Sequence, residues 1–261
     1  MTDQTISTSS RVTLGVLGNQ IDVVSWDDAI NRIRIWARDR QSRVICICNV
    51  HMAVTANRDT GLKDTLASAD MVTPDGAPIA WILKRSGHPR QQRINGPDLM
   101  WKYLRHAESD GEKVFFYGGM PSTLDLLGKK IVKEFPDLKI AGLVSPPYKN
   151  LNDEEKDLYI SRINSSGASV VFVGLGCPKQ EKWMLEHRHK LNAVLVGVGA
   201  AFDYHAGTIK RAPTWMQNAG LEWLHRLSSE PRRLWKRYFV TNLYFLFFMT
   251  KNGFRASTKK P

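Results

Sequence analysis

Residues 113–134 begin Lys113-Val-Phe-Phe-Tyr117, turn at Gly118-Gly119, and continue through a helix-compatible stretch from Pro121 to Glu134. A short β-branched and aromatic run that ends on glycines and passes into a helical pattern is half of a βαβ unit. The cadence recurs downstream. Leu138–Val144 reads as a strand and Asp153–Asn164 as a helix. Ser169–Val173, Gly174-Leu-Gly176 and Lys179–Leu191 repeat strand, glycines and helix, and Ala193–Val198 is a strand closed by Gly199. Upstream, Val44–Val50 is a continuous apolar run, as in a strand buried on both faces. This alternation predicts an α/β fold, a mostly parallel sheet with helices on both faces.

The flanking segments read differently. Residues 1–11 are polar, lack the apolar core of a signal peptide, and are expected to form a disordered lead. Val12–Val24 alternates around Gly18-Asn19 and predicts a hairpin. Ser25-Trp-Asp-Asp28 opens a helix whose apolar face carries Ala29, Ile30, Ile33, Ile35 and Trp36. Helices are expected over Thr60–Ser68, Ala77–Lys84 and Pro97–Ala107. Residues 12–204 therefore form the expected α/β domain, and 205–261 a helical appendage. In the appendage, Ala212–Ser228 reads as one amphipathic helix and Ser229-Glu-Pro231 as the start of another. Arg232, Arg233, Lys236 and Arg237 are then interleaved with Leu234, Trp235 and Tyr238, before the almost wholly apolar run Phe239–Met249. That run is about half the length needed to span a bilayer.

Charge follows the same division. The chain carries 37 Lys/Arg against 25 Asp/Glu, a net of +12. Residues 205–261 hold 11 of the basic and 2 of the acidic residues, leaving 26 and 23 for the rest. A nearly neutral body with a basic tail points to an anionic surface. The three cysteines, Cys46, Cys48 and Cys177, are too few for a disulfide framework and suggest a reducing compartment. Neither a P-loop nor a strict Gly-x-Gly-x-x-Gly is present, which weighs against an ATPase or an NAD(P)-dependent oxidoreductase. Tail charge beside an apolar run, rather than across a stacking platform, weighs against nucleic-acid binding.

The chemistry-bearing positions gather at the ends of the expected strands. Gly118, Gly119, Gly174 and Gly199 would let a phosphate approach the backbone, with helix N-termini supplying free N–H groups. Asp75 stands on the rigid turn Pro74-Asp75-Gly76, as turn chemistry or as a catalytic base. Arg93, Lys179, Lys210 and Arg211 are candidate phosphate ligands, and no Asp-x-Asp pair is present to hold a metal. Asn95 and Asp98 follow Arg93 in a second glycine-bearing turn, Gln180 and Glu181 occupy the first turn after Gly174, and Asp203 follows the last strand.

Taken in order, Asn49, Thr-Pro-Asp-Gly at 73–76, Arg93 with Asn-Gly-Pro-Asp-Leu at 95–99, Tyr-Gly-Gly at 117–119, Gly-Leu-Gly-Cys-Pro-Lys-Gln-Glu-Lys-Trp at 174–183, Gly-Val-Gly-Ala-Ala-Phe-Asp at 197–203, Ala-Gly at 206–207, Arg-Ala-Pro at 211–213 and Gly-Leu-Glu-Trp-Leu at 220–224 resemble the WecG/TagA/CpsF family of bacterial glycosyltransferases, family 26. The resemblance implies a Rossmann-like sheet with a membrane-docking C-terminal appendage. It also implies inverting, metal- and cofactor-independent sugar transfer from a UDP-sugar to a polyprenyl-diphosphate-linked saccharide. The family's base falls on Asp75, its site asparagine on Asn49, its arginine on Arg93 and its glutamine on Gln180. Many members carry threonine where this chain has Ile47, a departure that favours a hexose over an N-acetylhexosamine donor and exopolysaccharide assembly, with teichoic-acid linkage and enterobacterial-type antigen assembly as the alternatives. The enzyme is expected at the cytoplasmic face of the membrane, attached through Arg232, Arg233, Trp235, Lys236, Arg237, Phe239, Phe245, Phe247 and Phe248. A homo-oligomer is left open.

Overall fold

The structure, a computed structural model, describes residues 11–251 apart from the side chains of Arg233, Arg237 and Lys251. Residues 1–10 of the expected lead lie outside the described residues. Arg11 does not behave as part of a loose lead: its Nε donates to Asp22 Oδ1 at 2.8 Å and its Nη1 to the Ala69 carbonyl at 2.8 Å.

β1 (Thr13–Val16) and β2 (Asn19–Asp22) form a separate two-stranded hairpin. It turns at Leu17 and Gly18, both with positive φ, one residue earlier than the sequence suggests. Six strands build the main sheet: β3 (Arg43–Cys48), β4 (Met71–Pro74), β5 (Lys113–Gly118), β6 (Lys139–Val144), β7 (Val170–Gly174) and β8 (Val194–Gly197). Their order is β4-β3-β8-β7-β5-β6, and every pairing is parallel. Parallel neighbours cannot be joined by hairpins, so each connection crosses the sheet and covers it.

Alternation along the strands sorts side chains to two cores. Cys46, Cys48, Val72, Phe115, Tyr117, Val171, Val173 and Leu195 face one side. There they meet α2 (Val50–Ala56), α3 (Thr60–Ser68) and α8 (Lys179–His187) through Met52, Leu62, Leu66 and Met184. Ile45, Ile47, Phe116, Phe172, Val194 and Val196 face the other side, against α1 (Trp26–Arg38), α5 (Gly96–Asp110) and α6 (Pro121–Glu134). α7 (Asp153–Ser166) is held at its start by a capping box between Asn152 and Glu155. α4 (Ala77–Arg85) comes directly after the Asp75 turn, and α9 (Ala201–Ala206) after β8.

The expected Ala212–Ser228 helix is two helices, α10 (Thr214–Asn218) and α11 (Glu222–Ser229). Gly220 separates them at φ +73, and a side chain there would meet the Ala77 Cβ at 2.9 Å. The basic and apolar tracts of the tail instead merge into one helix, α12 (Pro231–Lys251). One side of α12 packs on the body through Leu234, Tyr244, Phe245, Phe248 and Met249, and Arg58 lies over the Tyr244 ring at 5.4 Å.

The glycines at two strand ends have a packing reason. A Cβ on Gly118 would lie 2.7 Å from the Gly174 carbonyl, and one on Gly174 would lie 2.6 Å from the Phe202 ring. Both substitutions force a buried, well-packed contact apart. Gly174→Ala is expected to lower stability by about 1–3 kcal/mol in chemical denaturation, with no loss of α/β content by circular dichroism.

Candidate active site

β4 ends at Pro74, and backbone hydrogen bonds fix the turn beyond it. The Asp75 N–H donates to the Cys48 carbonyl at 2.9 Å and the Ile94 N–H to the Pro74 carbonyl at 2.9 Å. The first bond ties the acid to the end of β3; the second brings Arg93 beside it. Arg93 Nη2 and Nε approach Asp75 Oδ1 at 3.3 and 3.4 Å, and Nε also donates to the Asp75 carbonyl. Nη2 makes a second ion pair with Glu222 Oε2, from α11. One guanidinium thus lies between two carboxylates, with all three side chains no more than 22% exposed.

Burial pushes the Asp75 carboxyl above its ordinary range; Arg93 opposes this, and the charge on Glu222 adds to it. A hydrogen bond from Asn49 also favours the ionised form. Burial would lower the Arg93 pKa, but the two carboxylates outweigh it and raise it further. Asn49 is placed as the N-cap of α2, its side chain accepting from the Met52 N–H at 3.0 Å. Gly76 is the N-cap of α4 and brings no side-chain cap. Asp75, Gly76, Asn49 and Arg93 therefore form one cluster.

Asn95, Asp98 and Arg211 adjoin it on the Arg93 side. Asn95 caps α5, accepting from the Asp98 N–H at 2.9 Å and donating to Asp98 Oδ2 at 2.7 Å. Arg211 forks onto the same carboxylate, at 2.5 Å to Oδ1 and 2.8 Å to Oδ2. Burial raises the Asp98 pKa, but the bonds from Arg211 and Asn95 prevail and hold it below the ordinary range. Arg211 is thereby committed to Asp98.

The glycine-bearing ends form the second part of the site. Gly119 N–H donates to the Gly174 carbonyl at 3.1 Å, locking β5 to β7. Gln180 Oε1 accepts from Gly176 N–H at 3.2 Å and Gly199 N–H at 3.1 Å, joining the turns after β7 and β8. Its Nε2 donates to Glu181 Oε1 at 2.6 Å. Gln180 is 3% exposed and Glu181 fully buried, so both side chains work inside the fold, shaping the turns. Gly176 and Gly199 have positive φ with open space where a Cβ would stand. They give the cleft a bare backbone wall of the kind a phosphate can approach. Asp203 lies apart, bonded through Oδ1 to the Thr123 and Thr208 hydroxyls at 3.2 and 3.3 Å, where it fastens α9 to α6. Lys179 Nζ stands 4.3 Å from the centre of the Tyr148 ring.

Three residues, Glu222 and Tyr204 near Asp75 and Arg226 beside them, carry no signal of their own in the sequence. Glu222 is visible there only as part of a motif. The Arg226 guanidinium lies 5.7 Å from the Tyr204 ring centre, and the Tyr204 hydroxyl and Arg226 Nε are buried with no hydrogen-bond partner among the described residues. Their proximity depends on how α9, which carries Tyr204, and α11, which carries Glu222 and Arg226, meet in the fold, which no local signal announces. Among the described residues, no three His, Cys, Asp or Glu side chains converge as a metal site.

A parallel α/β sheet whose strand ends carry open glycine turns and a buried acid paired with arginine is the kind of arrangement on which α/β enzymes bind phosphorylated substrates. Comparison with known proteins narrows the class. The chain belongs to the glycosyl transferase WecG/TagA/CpsF family, whose model matches residues 14–259. It is 34% identical over 204 residues to an N-acetylglucosaminyldiphosphoundecaprenol N-acetyl-beta-D-mannosaminyltransferase of Bacillus subtilis (strain 168), covering 78% of this chain and 77% of that one. A protein of the same name from Bacillus spizizenii is 36% identical over 193 residues, covering 70% and 73%.

Glu222→Gln gives a sharp test of the ion-pair arrangement. Loss of that charge removes a contribution that raises the Asp75 pKa and leaves Arg93 to Asp75 alone. For a base that must be ionised, the acid limb of kcat/KM is expected to move to lower pH; a pH–rate profile of the variant against the parent reads this directly.

Proposed function

We propose that Asp75 is the general base of this enzyme and that the cleft beside it binds the nucleotide sugar. The chain is an inverting glycosyltransferase that moves a sugar from a UDP-sugar to a polyprenyl-diphosphate-linked acceptor. The observation that carries the assignment is the Asp75–Arg93–Glu222 arrangement at the mouth of the glycine wall. In a single displacement, the acceptor hydroxyl attacks the anomeric carbon as its proton passes to the Asp75 carboxylate. The bond from that carbon to the UDP oxygen breaks, and UDP leaves with its negative charge. A carboxylate held above its usual pKa is a better proton acceptor than an exposed one. Backbone N–H groups along the glycine wall, Arg93 and Arg226 are the groups at hand to stabilise the departing diphosphate. Asn49 orients the base, and Gln180 holds the two turns that line the donor side. The donor sugar follows from what replaces the threonine hydroxyl: Ile47 is 5% exposed and stands beside Thr73 in the β3–β4 register. This supports a donor whose 2-substituent makes no hydrogen bond there, in keeping with a hexose used in exopolysaccharide assembly.

The appendage is read as the membrane contact. Among the described residues, no helix is long and apolar enough to cross a membrane. Of the aromatics expected to insert, Phe245 and Phe248 pack on the body, whereas Trp235, Phe239 and Phe247 are at least 52% exposed, joined by Leu243 and Leu246. These lie on one side of α12 at steps of three and four residues, next to Arg232 and Lys236. A basic helix with such a stripe suits peripheral binding to an anionic cytoplasmic leaflet, where each cation contributes roughly 1 kcal/mol. Arg233 and Arg237 belong to the same basic segment, with side chains outside the described residues.

Asp75→Asn is expected to reduce turnover by about 10²–10⁴ while UDP still raises the melting temperature; near-normal turnover would reject the base assignment. Replacing Trp235, Phe239 and Phe247 together by serine is expected to release the protein from vesicles containing anionic lipid in a flotation assay, with the fold intact.

A further inference from the structure

α4 begins one residue after Gly76 and runs away from the catalytic turn along the edge of the sheet. Its buried side carries Ile79, Ile82 and Leu83. Its other side presents Ala77, Trp81 and Lys84, spaced by four and three residues, to an open groove of about 750 Å³. Across this groove stand Trp26 and Lys102, from α1 and α5, with the Lys102 ammonium 5.4 Å from the Trp26 ring centre. Residues 217–220, from the end of α10 and the turn after it, together with Arg93, Asn95 and the Arg211-bound Asp98, complete the lining. From Ala77 to Lys84 the helix advances about 10 Å, comparable to a sugar ring followed by a diphosphate.

We propose that this groove is the acceptor subsite, taking the diphosphate-linked saccharide with Trp81 under the sugar and Lys84 and Lys102 toward the phosphates. The assignment rests on the reading of Asp75 as base. A displacement with inversion places acceptor and leaving group on opposite sides of the anomeric carbon. The glycine wall that suits the donor diphosphate lies toward β8 and β7, in the middle of the sheet. Asp75 follows the edge strand β4, and the groove shares Arg93 with it, so the groove offers an acceptor hydroxyl an approach to the base from that edge. The lining matches that ligand. Trp81 is 42% exposed, with the Arg85 guanidinium 5.2 Å from its ring centre, and its indole has the apolar surface that stacks on a sugar ring. Lys84 and Lys102 form no salt bridge among the described residues, so their charge is available to phosphate. Amides at Gln217 and Asn218 add hydrogen-bonding capacity suited to hydroxyls.

The test is calorimetric titration of the full-length enzyme and of two variants, Trp81→Ala and Lys84→Glu, with two probes: UDP, and a short-chain prenyl-diphosphate-linked N-acetylglucosamine. Each variant is expected to weaken the prenyl-linked probe at least tenfold and to leave UDP affinity within twofold, which also reports an intact fold. Equal binding of the prenyl-linked probe by variants and parent, or no binding of it by the parent, would overturn the assignment; so would a parallel loss of UDP binding in the exposed Lys84→Glu variant. Asp75→Asn, run alongside, separates the two readings. Full turnover in that variant rejects the base, whereas abolished turnover with unchanged probe binding in Trp81→Ala and Lys84→Glu rejects the groove alone.

Discussion

Six parallel strands impose the rest of this molecule. Since no two of them can be linked by a tight turn, every connection runs back across a face of the sheet, and both faces are buried. All carboxyl ends then fall along one edge, and with strands about 4.8 Å apart the turns after β4, β3, β8, β7 and β5 form a row about 20 Å long. Along that row the chain places an acid, an asparagine and a bare-backbone wall. The site is a by-product of how the sheet must be wired, and its specificity comes from what each turn carries.

The turns could be placed only because their sequences tolerate close contact. Gly118 and Gly174 admit backbone against backbone and ring against backbone, while Gln180 bridges two turns with one amide oxygen. Where the sequence suggests ligand binding, some of these groups are already spent on one another. Asp98 holds Arg211, and Asp203 holds two threonines. Around the catalytic turn, the groups that keep capacity for a substrate include Asp75, Arg93 and, among the described residues, the unsatisfied Tyr204 hydroxyl and Arg226 Nε.

Much of the architecture was legible in the residues because buried parallel strands leave continuous apolar runs between glycines. Val44–Val50 and Ser169–Val173 declare themselves this way. Boundaries were less legible. Leu17 takes a positive φ that its side chain does not advertise, and the Gly220 break between α10 and α11 was hidden by an amphipathic pattern that continues through it. The Asp75 turn stood out from its Pro-Asp-Gly chemistry. Glu222 did not, since its meaning depends on a contact 129 residues away along the chain with Arg93. Pairings of that range are set by packing of the appendage, and a local window contains none of that information.

α12 is apolar on two sides, one against α2 and one facing outward. The outward stripe is large for a surface that must stay hydrated. Where nothing covers the stripe, copies of the molecule repel one another through a net charge of +12. Salt shortens the reach of that repulsion and leaves the stripe's tendency to self-associate unopposed. Raising ionic strength, which weakens most charge-driven assemblies, is therefore expected to favour clustering through this helix.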